Sequence, residues 1–123
     1  MRIVCVDDHP ITLGALAQRV QNILPKADIH PFDNANSALD FARNNGCDVL
    51  ISEIELAGID GLTLAKNMKK LNFKVNIIFL TVCDEKEYAK EVMKIKPSGY
   101  LVKPAKKEQL AYELNNLRYA SAI

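Results

Sequence analysis

The chain has 123 residues, of which 49% are hydrophobic and 25% are charged, a composition typical of one globular domain with an adequate core. Its formal net charge of +1 provides no general attraction to nucleic acid or to anionic membranes. No apolar run is long enough to cross a bilayer, and the first run meets Asp7 and Asp8 too early to form a signal peptide.

The first part of the chain predicts two strands, each followed by a helix. The strands are apolar and cover residues 3–6 and 29–32. Pro10 suits the first turn of the first helix, which Pro25 ends, and Gly46 closes the second helix. Apolar residues recur at helical spacing in both segments: Leu13, Leu16, Ala17, Val20, Ile23 and Leu24, then Ala38, Leu39, Phe41 and Ala42.

The third predicted strand is an unbroken apolar run, Val49 to Ile51, which leads to the carboxylate of Glu53. A glycine-containing turn, residues 58–61, follows it. Such an unbroken run suits a strand buried on both faces, as in a parallel sheet. Open α/β sheets place their ligands at the C-terminal ends of the strands, so Glu53 is the first candidate site residue.

The second half of the chain continues the alternation. A helix is expected after Gly61, followed by a strand over residues 75–80 that ends at Thr81. A charged helix capped by Asp84 and a turn at 97–99 come next. The last strand covers residues 100–102 and ends at Lys103 and Pro104, and a last helix follows it. The inward positions are Leu62, Leu64, Ala65, Met68 and Leu71 in the third helix, Tyr88, Ala89, Val92, Met93 and Ile95 in the fourth, and Leu110, Leu114 and Leu117 in the fifth.

Five strands that alternate with five helices predict an α/β fold with a doubly wound parallel sheet and right-handed crossovers. The expected architecture is flavodoxin-like, (βα)5, with strand order 2-1-3-4-5. That order opens a crevice between the first and third strands, where Asp7, Asp8 and Glu53 are expected to meet. We expect residues 1–123 to form one domain.

The chain has three cysteines, Cys5, Cys47 and Cys83, which are well separated and show no paired spacing. This pattern indicates free thiols in the cytoplasm, and it supports neither a disulfide framework nor a zinc site. His9 adjoins the two aspartates, but the lack of a second histidine or cysteine nearby makes a histidine metal site a poor interpretation.

Short motifs at the ends of four predicted strands give the chain a family resemblance. They are Val6-Asp7-Asp8, Gly58-Ile59-Asp60-Gly61, Leu80-Thr81 and Tyr100-Leu101-Val102-Lys103-Pro104. In this order they resemble the receiver domain of response regulators in bacterial two-component systems. The resemblance covers nearly the whole chain and implies a signalling module that is not an enzyme.

The resemblance implies a role for each site residue. A sensor histidine kinase passes a phosphoryl group to a carboxylate at the end of the third strand, where Glu53 stands. Mg²⁺ is the implied cofactor, with Asp7, Asp8, Glu53 and the backbone carbonyl of Glu55 as its ligands. The remaining roles are those of Lys103, which pairs with the phosphoryl oxygens, and of Thr81 and Tyr100, which form the switch. The face of helix four, strand five and helix five is then the expected docking face for partners or for a second copy.

The sequence departs from the family pattern at the acceptor itself. The family uses aspartate there, and the register is fixed on both sides of Glu53 by Asp48 and by residues 58–61. The added methylene moves the carboxylate outward by about 1.5 Å, and a misplacement of roughly 1 Å costs about a hundredfold in rate. Ala57 replaces a customary proline, and Val82 stands where a small residue is usual. We therefore expect little phosphotransfer and a partial mimic of the phosphorylated state.

Two alternatives stay open. In one, Glu53 or Ser52 still accepts a phosphoryl group. In the other, the chain is a flavodoxin-like enzyme or nucleotide binder, although residues 7–10 do not form the glycine-rich loop that such a site needs. On the favoured interpretation, the chain is the N-terminal part of a longer regulator whose output domain binds DNA, while the receiver itself does not contact nucleic acid or membrane.

Overall fold

Within residues 1–120, which the computed structural model describes, five parallel strands form a single sheet of order β2-β1-β3-β4-β5. The strands are β1 (Arg2–Val6), β2 (Asp28–Phe32), β3 (Val49–Ser52), β4 (Asn76–Thr81) and β5 (Gly99–Val102). The helices are α1 (Pro10–Ile23), α2 (Ala35–Asn45), α3 (Gly61–Leu71), α4 (Ala89–Ile95) and α5 (Lys107–Asn115). The predicted fold class and strand order are confirmed.

The helices cover both faces of the sheet. Apolar residues of α1 and α5 pack in one core cluster, and those of α2, α3 and α4 pack in the other. The three inner strands β1, β3 and β4 are buried almost along their whole length, as the unbroken apolar runs predicted. No helix in the described part of the chain combines the length and the hydropathy that crossing a membrane requires.

Helix boundaries follow local capping chemistry. Asn34 caps α2 and Asp60 caps α3; each side chain accepts a hydrogen bond of 2.8 Å from the backbone N–H three residues later. Gly46 ends α2, as expected. Four of the predicted strands gain one residue at an end. The fourth strand keeps its length but is shifted by one residue, so that β4 begins at Asn76 and takes in Thr81, the residue at which it was expected to stop.

The region between β4 and β5 differs from the prediction. A single helix was expected after Asp84, but a 3-10 turn at Glu85–Tyr88 precedes the short α4. A 3-10 segment advances three residues per turn, so it shifts the phase of the helix that follows. Met93 is consequently 73% exposed and Ala89 is exposed as well, so the expectation that these two residues face inward was wrong. Leu71 is also exposed, by 46%, because α3 ends at that residue.

Candidate functional site

Several polar side chains meet in a crevice of about 350 Å³ at the C-terminal edge of the sheet. Its lining consists of Asp8, His9, Thr12, Glu53, Glu55, Val82 and Lys103. Asp7 lies beneath this lining and is only 2% exposed. A larger groove of about 400 Å³ beside Met1 and residues 24–27 is mainly apolar and carries no carboxylate, so the chemistry belongs to the smaller crevice.

The backbone around Glu53 is tightly constrained. The Glu53 N–H donates to the Val6 carbonyl at 3.0 Å, which extends the pairing of β3 with β1 by one residue. Gly61 packs so closely against the Glu53 carbonyl that a Cβ atom there would overlap it. Gly58 has φ = 78°, a conformation that glycine adopts without strain. The two glycines therefore let the β3–α3 loop fold back over the end of β3.

The Glu53 carboxylate is 4% exposed and uses both of its oxygens. Oε1 accepts hydrogen bonds from the Ile54 N–H at 2.8 Å and from the Thr81 hydroxyl. Oε2 lies 2.9 Å from the Lys103 ammonium. One carboxylate on β3 thus contacts the ends of both β4 and β5.

Lys103 also binds Asp7, with 2.6 Å between Nζ and Oδ2. Burial raises the pKa of Asp7, but the hydrogen bonds from Lys103 and from the His9 N–H outweigh it and hold that pKa below its ordinary value. Burial lowers the pKa of Lys103, while its contacts with Asp7 and Glu53 raise it above the ordinary value overall. The ammonium is therefore firmly charged between two carboxylates.

Asp8 provides the observation that bears on a metal ion. Its Oδ2 accepts the Ala57 N–H at 3.1 Å, whereas its buried Oδ1 accepts no hydrogen bond, although His9 Nδ1 lies 3.1 Å away. Ligand atoms of Asp7, Asp8 and His9 all lie within 4.8 Å of one another. An orphaned carboxylate oxygen beside a second carboxylate suits a hard cation, so the residues present fit Mg²⁺. Glu53 is not in this group, and its expected role as a ligand stays a prediction.

A chain of contacts leads from Thr81 to Tyr100. The Cys83 N–H donates to the Thr81 hydroxyl oxygen at 3.2 Å, and the Tyr100 hydroxyl donates to the Cys83 carbonyl at 2.9 Å. The Tyr100 ring packs edge-on against Phe79, with 6.1 Å between centroids. Tyr100 is thus turned inward while Thr81 is bonded to Glu53.

The cysteine thiols are free, as expected. Burial raises the pKa of Cys5 to about 12 and that of Cys47 to about 12. Burial also raises the pKa of Cys83, and the hydrogen bond from its Sγ to Glu55 Oε1, 2.7 Å long, raises it further. These environments disfavour the reactive thiolate form.

The structure brings together Asp7, Asp8, Glu53, Thr81 and Lys103, all of which the sequence placed at strand ends. Tyr100 joins them through one intervening residue, and Glu55 lines the crevice. The predicted use of the Glu55 backbone carbonyl stays a prediction, because it is the side chain of Glu55 that contacts Cys83. Sequence reasoning did not predict the contacts of His9 with Asp7 and Asp8, for which its position directly after the two acids was the available signal.

A sequence model of the response regulator receiver domain matches residues 3–115. The chain is 27% identical over 118 residues to the sensory transduction protein LytT of Bacillus subtilis, covering 96% of this chain and 48% of that protein. It is 31% identical over 115 residues to the positive alginate biosynthesis regulatory protein of Pseudomonas aeruginosa, covering 93% of this chain and 46% of the relative. The chain thus spans about half the length of these curated relatives.

Solved structures agree on the fold. The response regulatory domain of protein mrkE from Klebsiella pneumoniae superposes with a TM-score of 0.85 at 25% identity, covering 95% of this chain and 94% of that one. A response regulator receiver domain protein from Clostridium thermocellum gives a TM-score of 0.84 at 21% identity, covering 94% and 91% of the two chains.

Proposed function

This chain belongs to the response regulator receiver domain family, and from that premise we propose that it is an atypical receiver in which Glu53 replaces the phosphoacceptor. It acts in two-component signal transduction with little or no dependence on phosphorylation. Glu53 biases the switch towards the active arrangement by partly mimicking the phosphorylated state.

The observation that carries this proposal is the placement of the Glu53 carboxylate. It contacts the Thr81 hydroxyl and the Lys103 ammonium together, the two groups that the family pattern assigns to phosphoryl oxygens. The inward Tyr100, bonded to the Cys83 carbonyl at 2.9 Å, is the expected companion of an engaged Thr81. The extra methylene of glutamate lets the carboxylate reach both partners.

The same contacts argue against phosphotransfer to Glu53. A nucleophilic carboxylate oxygen needs a free lone pair and in-line access. Both acceptor sites of Oε1 are occupied, by the Ile54 N–H and the Thr81 hydroxyl, and Oε2 keeps one free site but is held 2.9 Å from the Lys103 ammonium. Ser52 is a weaker acceptor still, since it is fully buried and its hydroxyl donates to the Glu53 carbonyl at 2.8 Å. The crevice thus holds the Glu53 carboxylate against Thr81 and Lys103 and is poorly suited to phosphoryl transfer.

Mg²⁺ would be held by Asp7 and Asp8, with Glu53 and the Glu55 carbonyl as the further ligands that the family pattern suggests. When bound, the ion supplies charge neutralisation beside a phosphoryl group. In this chain Lys103 already balances part of that charge, because it lies between Asp7 and Glu53. We therefore expect weak Mg²⁺ binding at Asp8.

The mimicry is incomplete. A carboxylate offers one charge and two oxygens, whereas a phosphoryl group carries about two charges and three oxygens. Converting a switch from 1:99 to 99:1 takes about 5.5 kcal/mol of differential stabilisation. One hydrogen bond to Thr81 and one ion pair to Lys103 supply only part of that, so the receiver is biased and not locked.

Its partners follow from the family and the relatives. The chain covers 48% of a relative named as a transcriptional regulatory protein, YpdB of Escherichia coli. We therefore propose that it is the N-terminal receiver of a longer cytoplasmic regulator. A DNA-binding output domain in the same chain is the expected partner. A sensor histidine kinase is the family's phosphodonor, and that interaction is weakened or lost here.

The test is treatment with a small-molecule phosphodonor and Mg²⁺, followed by intact mass. We expect no stoichiometric gain of a phosphate by the unaltered chain and a partial gain by Glu53→Asp. Lys103→Ala in the Glu53→Asp background is the matched control. It removes the ammonium that pairs with the phosphoryl oxygens, so the gain of phosphate should fall. A gain of one phosphate per unaltered chain would establish a competent acceptor and overturn the proposal.

A further inference from the structure

A buried asparagine at the opposite end of the sheet has no role in the site described above. Asn76, the first residue of β4, is 1% exposed. Its Oδ1 accepts the Tyr119 N–H at 2.9 Å, and its Nδ2 donates to the Tyr119 carbonyl at 3.0 Å. A single side-chain amide thus pairs with both backbone groups of a residue 43 positions later.

The same amide is also bonded to the sheet. Its Nδ2 donates to the Asp48 carbonyl at 3.1 Å, ahead of β3. Because buried polar groups are costly unless paired, an inner strand position normally favours an apolar residue. The polar side chain of Asn76 is explained by its pairing with the segment after α5, residues 116–119, which forms no strand.

Further contacts connect this segment to the turn between α4 and β5. The Ser98 hydroxyl donates to Asn76 Oδ1 at 3.2 Å, so Ser98 and Tyr119 share one acceptor. The Arg118 guanidinium donates to the Lys96 carbonyl at 3.0 Å, at the C-terminal end of α4. From the other side, the Lys69 ammonium lies 5.7 Å from the centre of the Tyr119 ring.

We propose that Asn76 is a positioning residue that anchors the segment 116–119 beneath the sheet, and that Ser98 and Arg118 couple this segment to the α4–β5 turn. A displacement of α4 and β5 then displaces Tyr119. The anchor stands on the contacts alone, whereas the coupling rests on the proposed function, since it needs the switch at Thr81.

The anchor is tested by hydrogen exchange of the Tyr119 amide, followed by NMR. In the unaltered chain this amide should be protected, and Asn76→Val, which suits a strand, should reduce its protection by at least about tenfold. Amides of β1 report that the variant is folded. Asn72→Ala is the matched control, an exposed asparagine at the same end of the sheet whose side chain bonds Lys74, and it should leave Tyr119 protected.

An unprotected Tyr119 amide in the unaltered chain would overturn the anchor, and so would equal protection in folded Asn76→Val. If Asn76→Val does not fold, the exchange of the unaltered chain decides alone: protection supports the anchor.

The coupling is tested by Thr81→Ala, which releases the Glu53–Thr81 hydrogen bond, with backbone chemical shifts as the readout. Shifts should change in α4 and β5 and at Tyr119, and the Tyr119 change should disappear in a Ser98→Ala, Arg118→Ala background. A response in α4 and β5 but not at Tyr119 overturns the coupling and leaves the proposed switch standing. No response in either region overturns both. A Tyr119 response that persists in the double background overturns the route through Ser98 and Arg118.

Discussion

At the scale of single residues, the site contains ionisable groups that are buried in the protein. Asp7 and Glu53 are 2% and 4% exposed, and they share one ammonium, that of Lys103. Ionised carboxylates at such depth are stable only when cations or hydrogen-bond donors compensate them. Lys103 therefore has a structural role in addition to any role in signalling.

Replacing Lys103 with Ala should lower the free energy of unfolding by about 2–4 kcal/mol, because two buried carboxylates lose their common partner. Urea unfolding measures the loss, and NMR should show a changed α4–β5 region, since Glu53 is released from β5. Lys90→Ala, an exposed lysine of α4, is the control and should change stability by less than about 0.5 kcal/mol. Equal small effects for both variants would contradict the structural role of Lys103.

The sequence predicted which residues form the site and that Glu53 can reach Thr81 and Lys103, but not the pairing of Lys103 with Asp7. Asp7, Glu53, Thr81 and Lys103 each stand at the end of a predicted strand, and parallel strands end at one edge, so their proximity followed from topology. Which oxygen of Glu53 meets Thr81 and which meets Lys103 depends on side-chain rotamers, which sequence patterns do not specify. The contacts of Cys83 were missed for the same reason.

At the scale of elements, α4 and α5 show where periodicity is informative and where it is not. Leu110 and Leu114 of α5 are buried as their spacing predicted. In α4 the spacing of Val92 and Ile95 was informative, but Met93 was misplaced because a 3-10 turn precedes the helix. The spacing of apolar residues in a 3-10 turn followed by a short helix resembles that of one longer helix. The sequence therefore does not show where the 3-10 turn ends and the helix begins.

Glu113 of α5 gives a pH prediction. Its carboxylate lies so close to Gly99 of β5 that a Cβ atom there would overlap it, and burial raises its pKa above the ordinary 4.5. The folded state therefore holds this proton more tightly than the unfolded state, so Glu113 contributes stability at low pH that is lost as the pH rises through the raised pKa.

Glu113→Gln should accordingly be more stable than the unaltered chain at pH 7, and the advantage should vanish below about pH 4, where the carboxyl is protonated in both states. Thermal unfolding across this pH range measures the difference. Glu108→Gln, at an exposed position in the first turn of the same helix, should show no such gain at pH 7. A destabilised Glu113→Gln at neutral pH would contradict the prediction.

At the scale of the whole molecule, the alternation of apolar runs and amphipathic segments was sufficient for the strand order. Five parallel strands with right-handed crossovers leave few arrangements, and 2-1-3-4-5 is the observed one. The sequence did not predict that residues 116–119 return under β4. That contact depends on one polar residue, Asn76, inside a run that was otherwise recognised as apolar.

Three apolar side chains on adjoining elements are exposed: Met93 of α4 by 73%, Val102 of β5 by 50% and Tyr112 of α5 by 64%. Because β5 is an edge strand, this face is open to a second copy, and its burial removes apolar area from water. We expect concentration-dependent dimers in sedimentation velocity experiments, and Met93→Lys should weaken them by placing a charge in the interface.

Phe73→Lys is the matched control, since Phe73 is 68% exposed on the loop between α3 and β4 and lies outside that face. Dimers that respond to Phe73→Lys and not to Met93→Lys would assign association to another surface, and then the face of α4, β5 and α5 would be free for a different partner.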